Sequence, residues 1–278
     1  DSSLTNGNMR YGEILLKGHS KKEILLSANI CHPSMVSNEL SGPTILINLA
    51  KWLSKKKRNL SYRIIFIPET IGSITYIKKN LKNLKKNVIG GYTLTCLGNN
   101  GPFSYIKTKN NSLTDFITSQ VLDNYGKKKF YSYLHRGSDE RQFGSPNINI
   151  PIGSLCRSKH SEFKEYHNSM DNLKITNKKI LQDSYDFIKK CINKFETIRI
   201  YKLKTSCEPF LLKRKISNHI SVNNKTTKIK GKDILDILAY SDGKICFEEL
   251  RGILGMSSKI LEANILKLQK KRLLERLI

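Results

Sequence analysis

Strand-length apolar runs alternate with stretches of helical periodicity through residues 1–200, and this alternation most limits how the chain can fold. Residues 23–30 (EILLSANI), 62–67 (YRIIFI), 88–97 (VIGGYTLTCL), 130–135 and 148–155 are short, rich in β-branched or aromatic side chains, and bounded by Pro, Gly or polar clusters, as buried strands are. Between them, residues 44–53 (TILINLAKWL), 72–84, 113–124 and 176–195 repeat apolar side chains at helical spacing. Pro43 suits a first helical turn, where a missing N–H costs nothing, while Pro33 and Pro68 stop the runs before them. Such alternation predicts an α/β fold, a mostly parallel sheet covered by helices on both faces.

Beyond residue 200 the pattern changes. Residues 201–224 lose periodicity and read as a linker. Residues 225–278 carry three helical stretches, 233–240, 247–254 and 257–274, with Gly255 in the tight turn between the last two. That spacing predicts a small winged-helix-like α domain, although a three-helix packing or dimerisation module satisfies the same pattern. The division expected is a domain over 1–200, a linker over 201–224 and a domain over 225–278. The chain opens at Asp1, and strand-like sequence from Met9 onwards reads as a cut inside a longer protein.

The formal net charge of +26 invites a nucleic-acid reading. Lysines are spread through every segment, however, together with abundant Asn and Ile, a distribution that compositional drift also produces. In the tail, Lys267, Lys270, Lys271 and Arg272 fall at the C-terminal end of the last helix, where they complement its dipole. Specific DNA binding is therefore not expected, and homo-oligomerisation is left open. No apolar run reaches the roughly 18 residues of a membrane span, and no basic-then-apolar leader opens the chain. Cysteines at 31, 96, 156, 191, 207 and 246 form no CxxC pair, which points to reduced thiols and a cytoplasmic protein. Cys31 is read as a small buried residue at a strand end, although it adjoins His32.

Several loops next to strand-like runs carry imidazoles and carboxylates: CHPS at 31–34, NELSG at 38–42, PETIGS at 68–73, SDER at 138–141 and EYHN at 165–168. Open α/β sheets gather ligands outside the carboxyl ends of their strands, and separate loops delivering such groups there are what a hydrolytic zinc site needs. Those loops offer His32, Glu39, Asp139 and His167 among the candidate donors. Glu69, just after Pro68, is placed to cap the helix that follows, since carboxylates favour helix N-termini. Arg141, Arg157 and Tyr166 lie near the late ligands in sequence, and a guanidinium fork matches a substrate carboxylate or sugar acid. Glu140 with Arg141 equally reads as a solvated charge pair.

Taken in order, ICHPS, NELSGP, FIPETIGSI, GSDERQ and EYHNSMDN, within residues 11–194, resemble the DUF4910 aminopeptidase-like family, distant relatives of the M28 zinc peptidases. The resemblance implies a sheet of the zinc-exopeptidase (phosphorylase/hydrolase-like) type, a setting beside polysaccharide biosynthesis, a winged-helix end and a preceding aminopeptidase-associated domain. It places His32 at the first histidine ligand, Glu69 at the general base, Asp139 at the later aspartate ligand, His167 at the final histidine and Asp171 at the acid that follows it. Asn38 falls where the zinc peptidases bridge two metals with an aspartate, and Thr70 where a second-metal glutamate stands. Those two are departures: an amide cannot bridge two cations, and threonine is a poor zinc ligand. One zinc, a rearranged pair or a vacant scaffold is implied, and Glu39, one residue on, can rotate in as a replacement carboxylate. The expected function is a zinc-dependent aminopeptidase-like hydrolase acting on a small peptide or amino-sugar amide. The alternative is a catalytically degenerate ligand-binding regulator that signals through its tail.

Overall fold

In the computed structural model, which describes residues 3–216 and 231–278, the early apolar runs pair as one seven-stranded sheet. Its strands are β1 (Gly12–Leu16), β2 (Glu23–Asn29), β3 (Ser61–Ile67), β4 (Val88–Leu94), β5 (Phe103–Ile106), β6 (Lys128–Tyr131) and β7 (Ile152–Cys156). The spatial order is β1-β3-β2-β4-β7-β5-β6. β3, β2, β4 and β7 run parallel at the centre. β1 is antiparallel to β3, and β5 is antiparallel to β7 but parallel to β6. Helices α1 (Ser41–Ser54), α2 (Ile71–Asn87), α3 (Leu113–Leu122), the short α4 (Glu140–Phe143) and α5 (Lys178–Thr197) complete the alternation. The sheet is mostly parallel, as the alternation predicts.

Burial follows from that placement. Residues 23–28 of β2 are all buried, which is why the run reads as continuous rather than alternating. α1 approaches the sheet closely at its first turn, where a Cβ added to Gly42 would lie 2.5 Å from the Leu94 carbonyl oxygen at the end of β4. Only glycine admits that approach, and it brings the segment before α1 against the carboxyl ends of the parallel strands.

Two strand expectations shift. β7 begins at Ile152, after Pro151 has removed a ladder donor, and the 133–135 part of the 130–135 run is a 3-10 turn. β5 was not expected at all. Its four residues follow β4 by a connection too short for a crossover, so the chain returns antiparallel.

The chain divides into two units, Asp1–Glu196 and Thr197–Ile278. The second contains β8 (Ile200–Leu203), α6 (Lys232–Tyr240), β9 (Asp242–Cys246), α7 (Phe247–Leu254), α8 (Ser258–Lys270) and β10 (Leu274–Arg276). β8 lies between β9 and β10 and is antiparallel to both. Ile237, Leu250, Leu261 and Leu268 fill the core of this unit. Gly255 takes φ 61° between α7 and α8, and Ser257 Oγ accepts from Ile260 N to cap α8. This corrects the expected boundaries: residues 201–203 are strand rather than linker, and the tail is mixed α/β rather than all-helical. Residues 217–224 of the expected linker and 225–230 of the expected tail domain lie outside the described residues. Among the described residues no helix is long and apolar enough to cross a membrane.

Candidate functional site

β2 ends at Asn29, and Pro33 keeps the chain from pairing further, so Cys31 and His32 emerge beyond the carboxyl end of this central strand. The next turn is π-helical, Val36–Leu40, with Leu40 N donating to Met35 O at 3.0 Å. Such turns place side chains that a regular helix would not. This one swings Glu39 back onto the preceding residues. Glu39 Oε2 accepts from the His32 backbone N–H at 2.6 Å, faces His32 Nδ1 at 2.8 Å and lies 3.5 Å from Cys31 Sγ. Glu39 is buried, whereas Cys31 is exposed rather than the buried strand-end residue expected. Desolvation of its sulfur, only partly offset by the Glu69 N–H and reinforced by the Glu39 charge, pushes the Cys31 thiol up to about 11. A thiol so held is protonated at neutral pH, which disfavours a cysteine nucleophile here.

Asn38 faces the other way. Its Oδ1 accepts from the buried Cys96 thiol at 3.4 Å, and its carbonyl accepts from Thr95 Oγ1 and Cys96 N. Asp171 fixes the same turn by accepting from Ser37 N at 2.7 Å and Asn38 N at 2.9 Å.

Glu69 follows β3 on a tight turn. Ile71 N donates to Glu69 O at 2.8 Å across Thr70, whose φ of 62° is strained for a β-branched residue. Two side chains hold that conformation: Asp139 Oδ1 accepts from Thr70 N and from Ser73 Oγ, both at 2.8 Å, and Arg141 Nη2 donates to Thr70 Oγ1 at 2.7 Å. The Glu69 carboxylate does not cap α2. Its Oε1 accepts from Ser138 Oγ at 2.7 Å, and Ser138 Oγ in turn accepts from Asn29 Nδ2 at 3.4 Å. Glu69 N donates to Cys31 Sγ at 3.2 Å, which ties the β3 loop to the β2 loop.

Asp139 is wholly buried, and among the described residues its Oδ2 has no hydrogen-bond partner. Burial pushes its carboxyl up to about 6. A buried carboxylate oxygen without a donor fits a cation or a proton. The His167 ring stands 5.3 Å, centroid to centroid, from the His32 ring, and Tyr166 stacks on His167 at 4.0 Å. Imidazoles and carboxylates are donors of the kind zinc takes, but among the described residues the donor atoms that lie within 4.8 Å of one another are those of Cys31, His32 and Glu39, a group that includes neither Asp139 nor His167. That thiol, imidazole and carboxylate suit the metal that the resemblance implies.

Other expectations are corrected. Arg157 is committed to the fold, with Nε on Ser184 Oγ at 3.0 Å, Nη1 on Gly101 O at 3.1 Å and its guanidinium over the Phe103 ring at 4.4 Å. A buried guanidinium whose donors are engaged this way has no fork left for substrate. Glu140 is buried rather than solvated, and its Oε1 accepts from Gly137 N and Ser138 N, shaping the loop that carries Asp139. Ser138 and the exposure of Cys31 were not foreseen; the contiguity of Cys31 with His32 was the only signal.

The profile of the DUF4910 family, described as a domain of unknown function, matches residues 2–197. The chain belongs to that family. A Clostridium acetobutylicum relative, named provisionally as a polysaccharide biosynthesis protein with an aminopeptidase-like domain, is 39% identical over 96% of this chain and 64% of its own length. A solved structure from the same organism, provisionally called a peptidase, superposes with a TM-score of 0.68 at 37% identity, covering 96% of this chain and 60% of that one. The chain thus spans less than two thirds of either relative. The structure of a zinc aminopeptidase from Bacillus subtilis superposes with a TM-score of 0.55 at 15% identity, covering 66% of this chain and 49% of that one, and this likeness shows the fold alone. The family member described here carries an aminopeptidase-like fold.

Proposed function

We propose that this chain is the hydrolytic part of a zinc-dependent aminopeptidase-like enzyme cleaving an amide bond of a small peptide or amino-sugar substrate. The observation that carries the reading is Glu69, a carboxylate held by Ser138 at the end of a parallel strand, tied through its own N–H to the loop of His32. His32, Asp139 and His167 would hold the ion, with Glu39 beside them. When bound, zinc supplies Lewis acidity to water and to the scissile carbonyl. Glu69 takes the proton from the attacking water and passes it to the departing amine. Arg141 and Tyr166 flank these groups, and are assigned to substrate contact. The amino-sugar option draws on the polysaccharide-biosynthesis name of the Clostridium relative.

Elemental analysis of the purified chain should find zinc. Glu69→Gln should retain that zinc and the fold while losing about 10²- to 10⁴-fold in hydrolysis, the usual worth of a positioned general base. Full activity in Glu69→Gln would refute the assignment.

A second reading has its own support. Asn38 Oδ1 is occupied by Cys96, and Thr70 Oγ1 by Arg141, so two positions that hold metal in zinc peptidases are neutral and engaged. A protein that holds no metal and cleaves no amide, yet gains thermal stability with amino-sugar or peptide ligands, would be the degenerate binding protein instead.

A further inference from the structure

We infer that Cys31 is itself a metal ligand, and that Cys31 Sγ, His32 Nδ1 and Glu39 Oε2 form one face of a mixed sulfur, nitrogen and oxygen site for a single thiophilic divalent cation such as zinc or cobalt(II). The inference rests on the metallohydrolase reading above and changes its ligand set. The three donor atoms lie within 4.8 Å of one another. Their separations are 3.2 Å from sulfur to nitrogen, 2.8 Å from nitrogen to oxygen and 3.5 Å from sulfur to oxygen. Tetrahedral zinc with ordinary bond lengths has ligand-to-ligand edges of about 3.3 to 3.6 Å. The sulfur-to-oxygen edge meets that range, the sulfur-to-nitrogen edge is close, and the 2.8 Å edge opens by about 0.5 Å when the Glu39 carboxylate turns to a cation.

The surroundings support ligands rather than an incidental cluster. Glu69 N donates to Cys31 Sγ, and His32 N donates to Glu39 Oε2, so both donors, the sulfur once an ion has displaced its proton, have the outer hydrogen bonds that ligating groups carry. Asp171 holds the Ser37 and Asn38 amides, which fixes the turn that presents Glu39. The exposed sulfur gives an ion a way in. Charge explains why these residues matter. Asn38 is neutral and turned to Cys96, whereas a thiolate and a carboxylate together neutralise one divalent ion. His167, beside His32, or water completes the fourth position. A thiolate in the set favours zinc or cobalt over magnesium or manganese.

Cobalt(II) titrated into the full chain under reducing conditions tests this directly. We expect equimolar uptake with a thiolate-to-cobalt charge-transfer band in the near ultraviolet, lost in Cys31→Ser at unchanged circular dichroism. Uptake without that band, or a band undiminished in Cys31→Ser, overturns the thiolate ligand but leaves a metal-dependent hydrolase intact. The band in a chain that cleaves no amide upholds the ligand and removes the hydrolase reading. No uptake at all by the unmodified chain overturns both.

Discussion

His160 is packed against the loop that carries Ser138 and Asp139, so closely that a Cβ added to Gly137 would come within 2.2 Å of His160 Nε2. Burial first, then the neighbouring Lys159 and Arg141 charges, hold this imidazole below its ordinary value of 6.5, while Glu69 and Glu162 pull it back part of the way. The unfolded chain therefore binds a proton at a pH where the folded chain does not. The contribution of His160 to stability is fully present above 6.5 and is lost as pH falls towards the folded value. Urea midpoints on either side of the imidazole range should show His160→Gln, compared with the unmodified chain, relatively more stable on the acid side. A difference that does not move with pH would contradict this account. At this scale the loops of His32 and Glu69 were legible because each follows a buried strand stopped by proline, whereas Asp139 and His167 were picked out by the resemblance to the family. Cys31, Ser138 and Glu140 were not, because exposure and partner choice depend on how loops remote in sequence meet.

The π-helical turn between β2 and α1 shows how one element decides the orientation of several side chains. Asp171, 1% exposed, accepts two of its backbone N–H groups from more than 130 residues away in sequence. Asp171→Asn keeps the size but turns an amide donor against one of those N–H groups. The expected cost is about 1.5 to 3 kcal/mol, the range for hydrogen bonds to a charged group, read from denaturant unfolding at neutral pH. An unchanged midpoint would show the turn to be held by other contacts. The central strands and long helices were legible because their periodicity is local and their runs are long. β5 and β8 escaped because each spans four residues, and β8 is recognisable only by pairing with β9 and β10 far along the chain.

For the whole molecule, a net charge of +26 favours any polyanion without choosing one. In the second unit Lys267 Nζ donates to Ile216 O, and Arg199 pairs with Glu262, so part of the positive charge near α8 is already engaged. The start of α8, which in helix-turn-helix readers meets the bases, offers Ser258, Lys259 and a half-exposed Ile260. We therefore expect the full chain to bind duplex DNA weakly, without sequence preference, and to release it as salt rises. A fluorescence titration showing submicromolar affinity that survives raised salt would be incompatible with a purely electrostatic contact.

The order of strands in the second unit also bears on where the chain can be divided. What comes first along the chain, β8, sits in the middle of the sheet in space, with β9 and β10 at its margins. A recombination breakpoint or cloning boundary at residue 225 would carry off both margins and leave the middle with the other fragment. The margins would then present unpaired backbone and invite self-association. This unit keeps its sheet whole only when residues 200–203 travel with its helices.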